Sequence, residues 1–145
     1  MFNTPANRAS AYARVGRETG VATASPHQLI LMLFDGALLA ISSARMAMRN
    51  KDISAKGTAI SKAVDIIVNG LAVSLDMKSG GELAERLAAL YDYCTQRLTH
   101  ANLHNDETAL DEVADLLTGL RTSWEAIAPG EGSNATAAAS PATQP

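Results

Sequence analysis

The sequence predicts an all-α protein: an antiparallel up-and-down four-helix bundle with a mobile N-terminal arm and a disordered C-terminal tail. Three observations predict it. Apolar residues recur at three-and-four spacing through four segments, and no stretch alternates apolar with polar residues as a half-buried strand would. Cap and turn residues separate these segments by short connections, which makes successive helices antiparallel neighbours.

Residues 1–24 form the arm, rich in Ala, Arg, Thr and Gly and without apolar period; Phe2, Tyr12 and Val15 are its few large apolar side chains. The bundle domain spans 25–128. Its first helix is expected to start at Ser25-Pro26-His27-Gln28. Ser25 can accept from exposed amides there, Pro26 suits the first helical position, and Gln28 can reach back to complete a capping box. The helix should run to about Asn50. Asp52 caps a second helix, expected to continue to about Met77 before Lys78-Ser79-Gly80-Gly81 reverses the chain. A third helix runs from Glu82 to about Asn102. Asn105-Asp106 caps the fourth, whose first turns carry Glu107, Asp111 and Glu112 as the helix dipole favours, and Pro129 stops it. The tail, 129–145, has no large apolar residue and cannot offset the entropy lost on ordering.

Each helix carries a core seam. The first buries Ile30, Leu33, Phe34, Ala37, Ile41, Ala44 and Met48, and the second Ile53, Gly57, Ile60, Val64, Ile67 and Leu71. The third contributes Leu83, Leu87, Leu90, Cys94, Leu98 and Ala101, and the fourth Leu110, Val113, Leu117, Leu120, Trp124 and Ile127. Two helices have apolar surface to spare. Roughly 160–200° around the first helix from Ile30 lie Met32, Leu39 and Met46, seven residues apart. Beside the second seam run Ala59, Ala63, Ile66, Gly70 and Val73, whose small side chains would leave a trough for another helix. Such stripes either pack inside a bundle or homodimer or receive an amphipathic segment of a partner. Flexible thioethers at Met32, Met46 and Met48 suit a surface that accepts imperfectly matched partners.

Composition removes several classes. With 12 Lys+Arg against 15 Asp+Glu and 4% aromatic residues, the chain offers neither a phosphate-neutralising surface nor a base-stacking platform, so nucleic acid is not an expected partner. One cysteine, no signal-peptide core, and a longest apolar run of only Leu29 to Phe34 point to a soluble cytoplasmic protein without membrane insertion. No catalytic constellation or cofactor motif is present. His100 and His104 share a face but would need a third ligand such as Asp106 to hold zinc, and no Glu has a His three residues later as a di-iron bundle requires. Cys94 reads as a small core residue, Trp124 as core, and Asp35, the only charge between Pro26 and Ala44, as exposed or as an anchor for a polar group. A histidine phosphotransfer bundle is the alternative reading, with His27 or His100 as acceptor; a structural homodimer is another.

Thr23-Ala24-Ser25-Pro26, then Leu29 and Met32-Leu33-Phe34-Asp35-Gly36, followed in order by Lys51-Asp52-Ile53, Ser74-Leu75-Asp76, Gly80-Gly81-Glu82-Leu83, Leu90-Tyr91-Asp92-Tyr93, Asn105-Asp106 and Trp124, resembles the FliS family of flagellar secretion chaperones. The resemblance covers roughly Tyr12 to Ile127. It implies a cytoplasmic four-helix bundle, not an enzyme, that needs no cofactor. Such a bundle binds the C-terminal amphipathic region of flagellin, prevents premature polymerisation and assists delivery to export gate components. It also implies that Tyr12 can cap the binding surface. The candidate partner-binding residues are therefore Tyr12, Leu29, Met32, Leu39, Met46, Ala63, Ile66, Gly70 and Val73, and a weak homodimer is possible. Two positions depart from the family's pattern: Phe34 stands where Tyr is common, and Cys94 where a larger apolar residue such as Met is common.

Overall fold

A computed structural model of the chain describes residues 24–127. Tyr12, the rest of the arm before Ala24, and the tail at 129–145 lie outside the described residues. The described chain forms four helices, α1 (Pro26–Arg49), α2 (Ile53–Ile66), α3 (Met77–His104) and α4 (Glu107–Glu125), and no strand.

The helices begin where their caps dictate. The Gln28 amide donates to Ser25 Oγ at 3.1 Å and the Ser25 amide to Gln28 Oε1 at 2.9 Å, closing the capping box of α1. Asp52 accepts from the Ala55 amide at 3.0 Å, and Asp106 caps α4 through the Ala109 amide at 3.3 Å. Two helix ends need a left-handed residue, supplied by Lys51 (φ 57°) and Asn105 (φ 53°). Past them the Asp52 amide reaches back to the Ala47 carbonyl and the Asp106 amide to that of Ala101.

The second helix departs from expectation. It is regular only to Ile66, continues as a π-turn over Ile67–Leu71 and a 3₁₀ turn over Ala72–Ser74, and stops short of Met77. Close packing against α1 accompanies the change: a Cβ on Gly70 would stand 3.0 Å from Leu33 Cδ2, so any larger residue there would need the Leu33 side chain to give way by a few tenths of an ångström. Helical turns then resume at Met77, capped by Asp76, but Gly81 (φ 55°, ψ −136°) breaks the run before the regular body of α3. The break falls at the glycine pair where a reversal was expected.

Each helix packs on its sequence neighbours, and α4 closes back on α1. Along that closing edge Arg49 pairs with Glu107, Arg45 with Asp111 and Asp35 with Arg121, so partners climb α1 as they descend α4. The antiparallel bundle is thus explicit in the side chains. These pairs are solvent-exposed and each contributes at most about 1 kcal/mol, so they fix register more than strength. Ile41, Ile67, Leu71, Cys94, Leu98, Leu110, Val113 and Leu117 fill the centre. One seam position is displaced: Ile53 is exposed, and the inward place in the first turns of α2 goes to Lys56. Helix α1 is also long and apolar enough to cross a membrane by length and composition, but its inner face packs into this core.

Lys56 is 6% exposed, and its ammonium donates to the Asn102 carbonyl at 2.9 Å and to Asn105 Oδ1 at 2.6 Å. A cation thereby satisfies the end of α3, where the helix dipole is negative. Lys56→Ala is expected to lower unfolding free energy in urea by about 1.5–3 kcal/mol, whereas Lys56→Met, which keeps the stem, should recover the packing share of that loss.

Candidate functional site

The first stripe singled out in the sequence stands open. Met32 (39%), Leu39 (69%) and Met46 (61%) form an exposed line on α1, about 21 Å long at 1.5 Å per residue. The reason lies in the helix itself: Ala37, Ile41 and Ala44 take the core, Leu33 and Gly36 face α2, and Asp35, Arg45 and Arg49 face α4. The line of methionines and Leu39 is what remains. Leu29 is half-buried at its N-terminal end.

The second stripe is corrected. Ala63, Ile66 and Gly70 are buried, Val73 is half-buried, and the trough read between the small residues is filled by α1: Leu33 covers Gly70, and Ile66 Cδ1 lies 3.3 Å from where a Cβ on Gly36 would be. The periodicity was that of a helix with two covered sides, since α2 lies against α1 and α3 at once. Tyr12 lies outside the described residues.

At the end of the bundle where α1 begins and α4 finishes, sequence reasoning missed a clasp. His27 Nε2 bonds the Trp124 carbonyl at 2.8 Å, Trp124 Nε1–H donates to the His27 carbonyl at 2.9 Å, and the rings stack with centroids 5.2 Å apart. A carbonyl oxygen can only accept, so in this contact the proton sits on His27 Nε2. No local pattern announces a contact between residues 97 apart; the signal available was only a histidine beside a helix cap and a tryptophan ending a seam. Phe34, Tyr91, Ser74 and Trp124 border a small cavity of about 20 Å³ next to the clasp, close to the room of one water. Phe34 is 3% exposed, so the hydroxyl it lacks relative to the family pattern would fall inside the bundle.

The remaining candidates are structural. Burial pushes the Cys94 thiol up to about 11, with Glu112 adding to the effect, so it stays protonated and unreactive near neutrality. Asp35 is bound by Arg121 at 2.6 Å. His27 is enclosed and bonded to Trp124, and His100 Nε2 meets Asp106 at 3.1 Å. Among the described residues no three His, Cys, Asp or Glu side chains converge on one point.

One polar cluster has a predictable pH response. Glu112 accepts from the Tyr93 hydroxyl and from Arg97 Nε at 2.8 Å, and these bonds, Tyr93 first, hold its carboxyl below the usual range. Asp76 is likewise held low, chiefly by the Ser79 amide. Carboxyls lowered in the folded state stabilise it above their ordinary values of 4.5 and 3.8, and that contribution is lost as pH falls through the folded values. The urea midpoint should therefore decline on acidification below 4.5, and Glu112→Gln should flatten part of that decline.

Comparison with known proteins agrees with this architecture. A family model described as flagellar protein FliS matches residues 8–131. The flagellar secretion chaperone FliS of Salmonella typhimurium is 51% identical over 119 residues, covering 82% of this chain and 88% of that protein. The Escherichia coli protein of the same name is 46% identical over 79% of this chain and 85% of its own length, and that of Bacillus subtilis 35% over 75% and 80%. Fold and relatives together define a small helical secretion chaperone. Within that class, the chain belongs to the FliS family of flagellar secretion chaperones.

Proposed function

We propose that this protein is a cytoplasmic holding chaperone that covers an amphipathic helical segment from the C-terminal region of flagellin, keeps it from polymerising early, and hands it to the flagellar export apparatus. The observation that carries this reading is the line Met32, Leu39 and Met46, left exposed on a bundle whose core is otherwise filled. Heptad spacing along one helix suits a second helix laid nearly parallel to it, with apolar side chains at matching intervals. The thioethers adapt to irregular partners. Leu29 would extend the contact at one end, while Ala63, Ile66 and Gly70 support it from beneath by holding α1 in place. Tyr12 enters this reading as an arm residue competing for the same surface.

The experiment is calorimetry and circular dichroism with the C-terminal segment of the flagellin encoded in the same genome. Heat of binding accompanied by a gain in helicity beyond the sum of the parts is expected. Neither signal, with a folded bundle, rejects the function.

A further inference from the structure

We infer that Met32 and Met46 make the partner-binding ridge a reversible oxidation site, through which peroxide releases the bound partner; this rests on the ridge reading above. The chain has five methionines. Met32 is 39% and Met46 61% exposed on the ridge, Met77 is 47% exposed at the start of α3, Met48 is half-buried on the core side of α1, and Met1 lies outside the described residues. The most exposed methionines on α1 are thus those that an apolar partner would cover.

The chemistry balances with hydrogen peroxide alone. A thioether lone pair attacks one peroxide oxygen, the O–O bond breaks as the S–O bond forms, sulfur gives up two electrons, and the departing hydroxide takes the remaining proton to become water. The sulfoxide is a strong hydrogen-bond acceptor that water satisfies on the free ridge. Beneath an apolar helix it loses that water, and few donors flank the ridge to replace it: Gln28 four residues before Met32, and Ser42 and Ser43 four and three residues before Met46. Binding is therefore penalised while the bundle, whose core holds neither sulfur, keeps its fold. Thiol-dependent methionine sulfoxide reductases reverse the change. Occupancy by the partner should in turn shield both sulfurs.

The test treats the full chain with hydrogen peroxide, locates each added oxygen by peptide mass mapping, and titrates the same flagellin segment before and after. Oxidation of Met32, Met46 and Met77 ahead of Met48 is expected, with unchanged helicity and at least tenfold weaker binding that reductase treatment restores. Met77→Leu should leave that loss intact. In Met32→Leu/Met46→Leu, whatever its untreated affinity, peroxide should change binding less than twofold. Full affinity in chain oxidised at both sulfurs, the same loss in the double variant, or loss of helicity on treatment each overturns the inference and leaves the holding function standing. Failure of untreated chain to bind overturns the holding function, and the inference with it.

Discussion

Leu39→Asp is expected to weaken binding of the flagellin segment by about 2–4 kcal/mol, or about 30- to 1,000-fold, while thermal unfolding of the free protein stays within a degree or two of its original midpoint. Leu39 is 69% exposed and stands midway along the ridge between Met32 and Met46. In the free protein a carboxylate there remains in water. Under a docked helix it would be stripped of water with no cation opposite, since Arg45 and Arg121 are committed to Asp111 and Asp35. The central position makes the penalty hard to evade by a shift of the partner. Calorimetric titration beside a melting curve separates the two effects, and unchanged affinity in a folded variant would remove this face from consideration.

Trp124→Ala is expected to destabilise the bundle by about 3–5 kcal/mol. Its indole is 3% exposed, stacks on His27, donates to the His27 carbonyl and offers its own carbonyl in return. Truncation would open a void at one end of the core and remove the indole's hydrogen bond to the His27 carbonyl. Trp124→Phe restores most of the volume but not the N–H, so a residual deficit of about 1–2 kcal/mol in urea unfolding is expected from the lost hydrogen bond and the remaining void. A loss below about 1 kcal/mol for the alanine variant would mean that the clasp closes the bundle without strengthening it.

The helices were legible because their boundaries are local. Ser25-Pro26-His27-Gln28, Asp52 and Asp106 each satisfy amides within three residues, and every one of those caps is present. The open line on α1 was legible for the same reason, being a matter of angle around a single axis. The α2 stripe was not. A stripe of Ala63, Ile66 and Gly70 looks alike whether a foreign helix or a neighbouring helix fills it, and only the approach of Leu33 to Gly70 decides the case. The π-turn, the place of Lys56 beneath the end of α3, and the His27–Trp124 clasp share that origin. Each depends on residues far apart in the chain, and periodicity carries no information about which distant side chain arrives. For the same reason Asp35 showed as a conspicuous charge while its partner Arg121 passed as one of several scattered arginines.

The clasp joins the place where the chain enters the bundle to the place where it leaves, so the first and last described residues lie at one pole. The opposite pole, with the turn after Arg49, the Lys56 anchor and Met46, is built only from interior stretches of chain. The Met32 end of the ridge therefore lies nearer the first and last described residues than the Met46 end. A guest helix laid along α1 would thus run between two unlike poles, which gives an otherwise nearly uniform apolar strip a head and a foot.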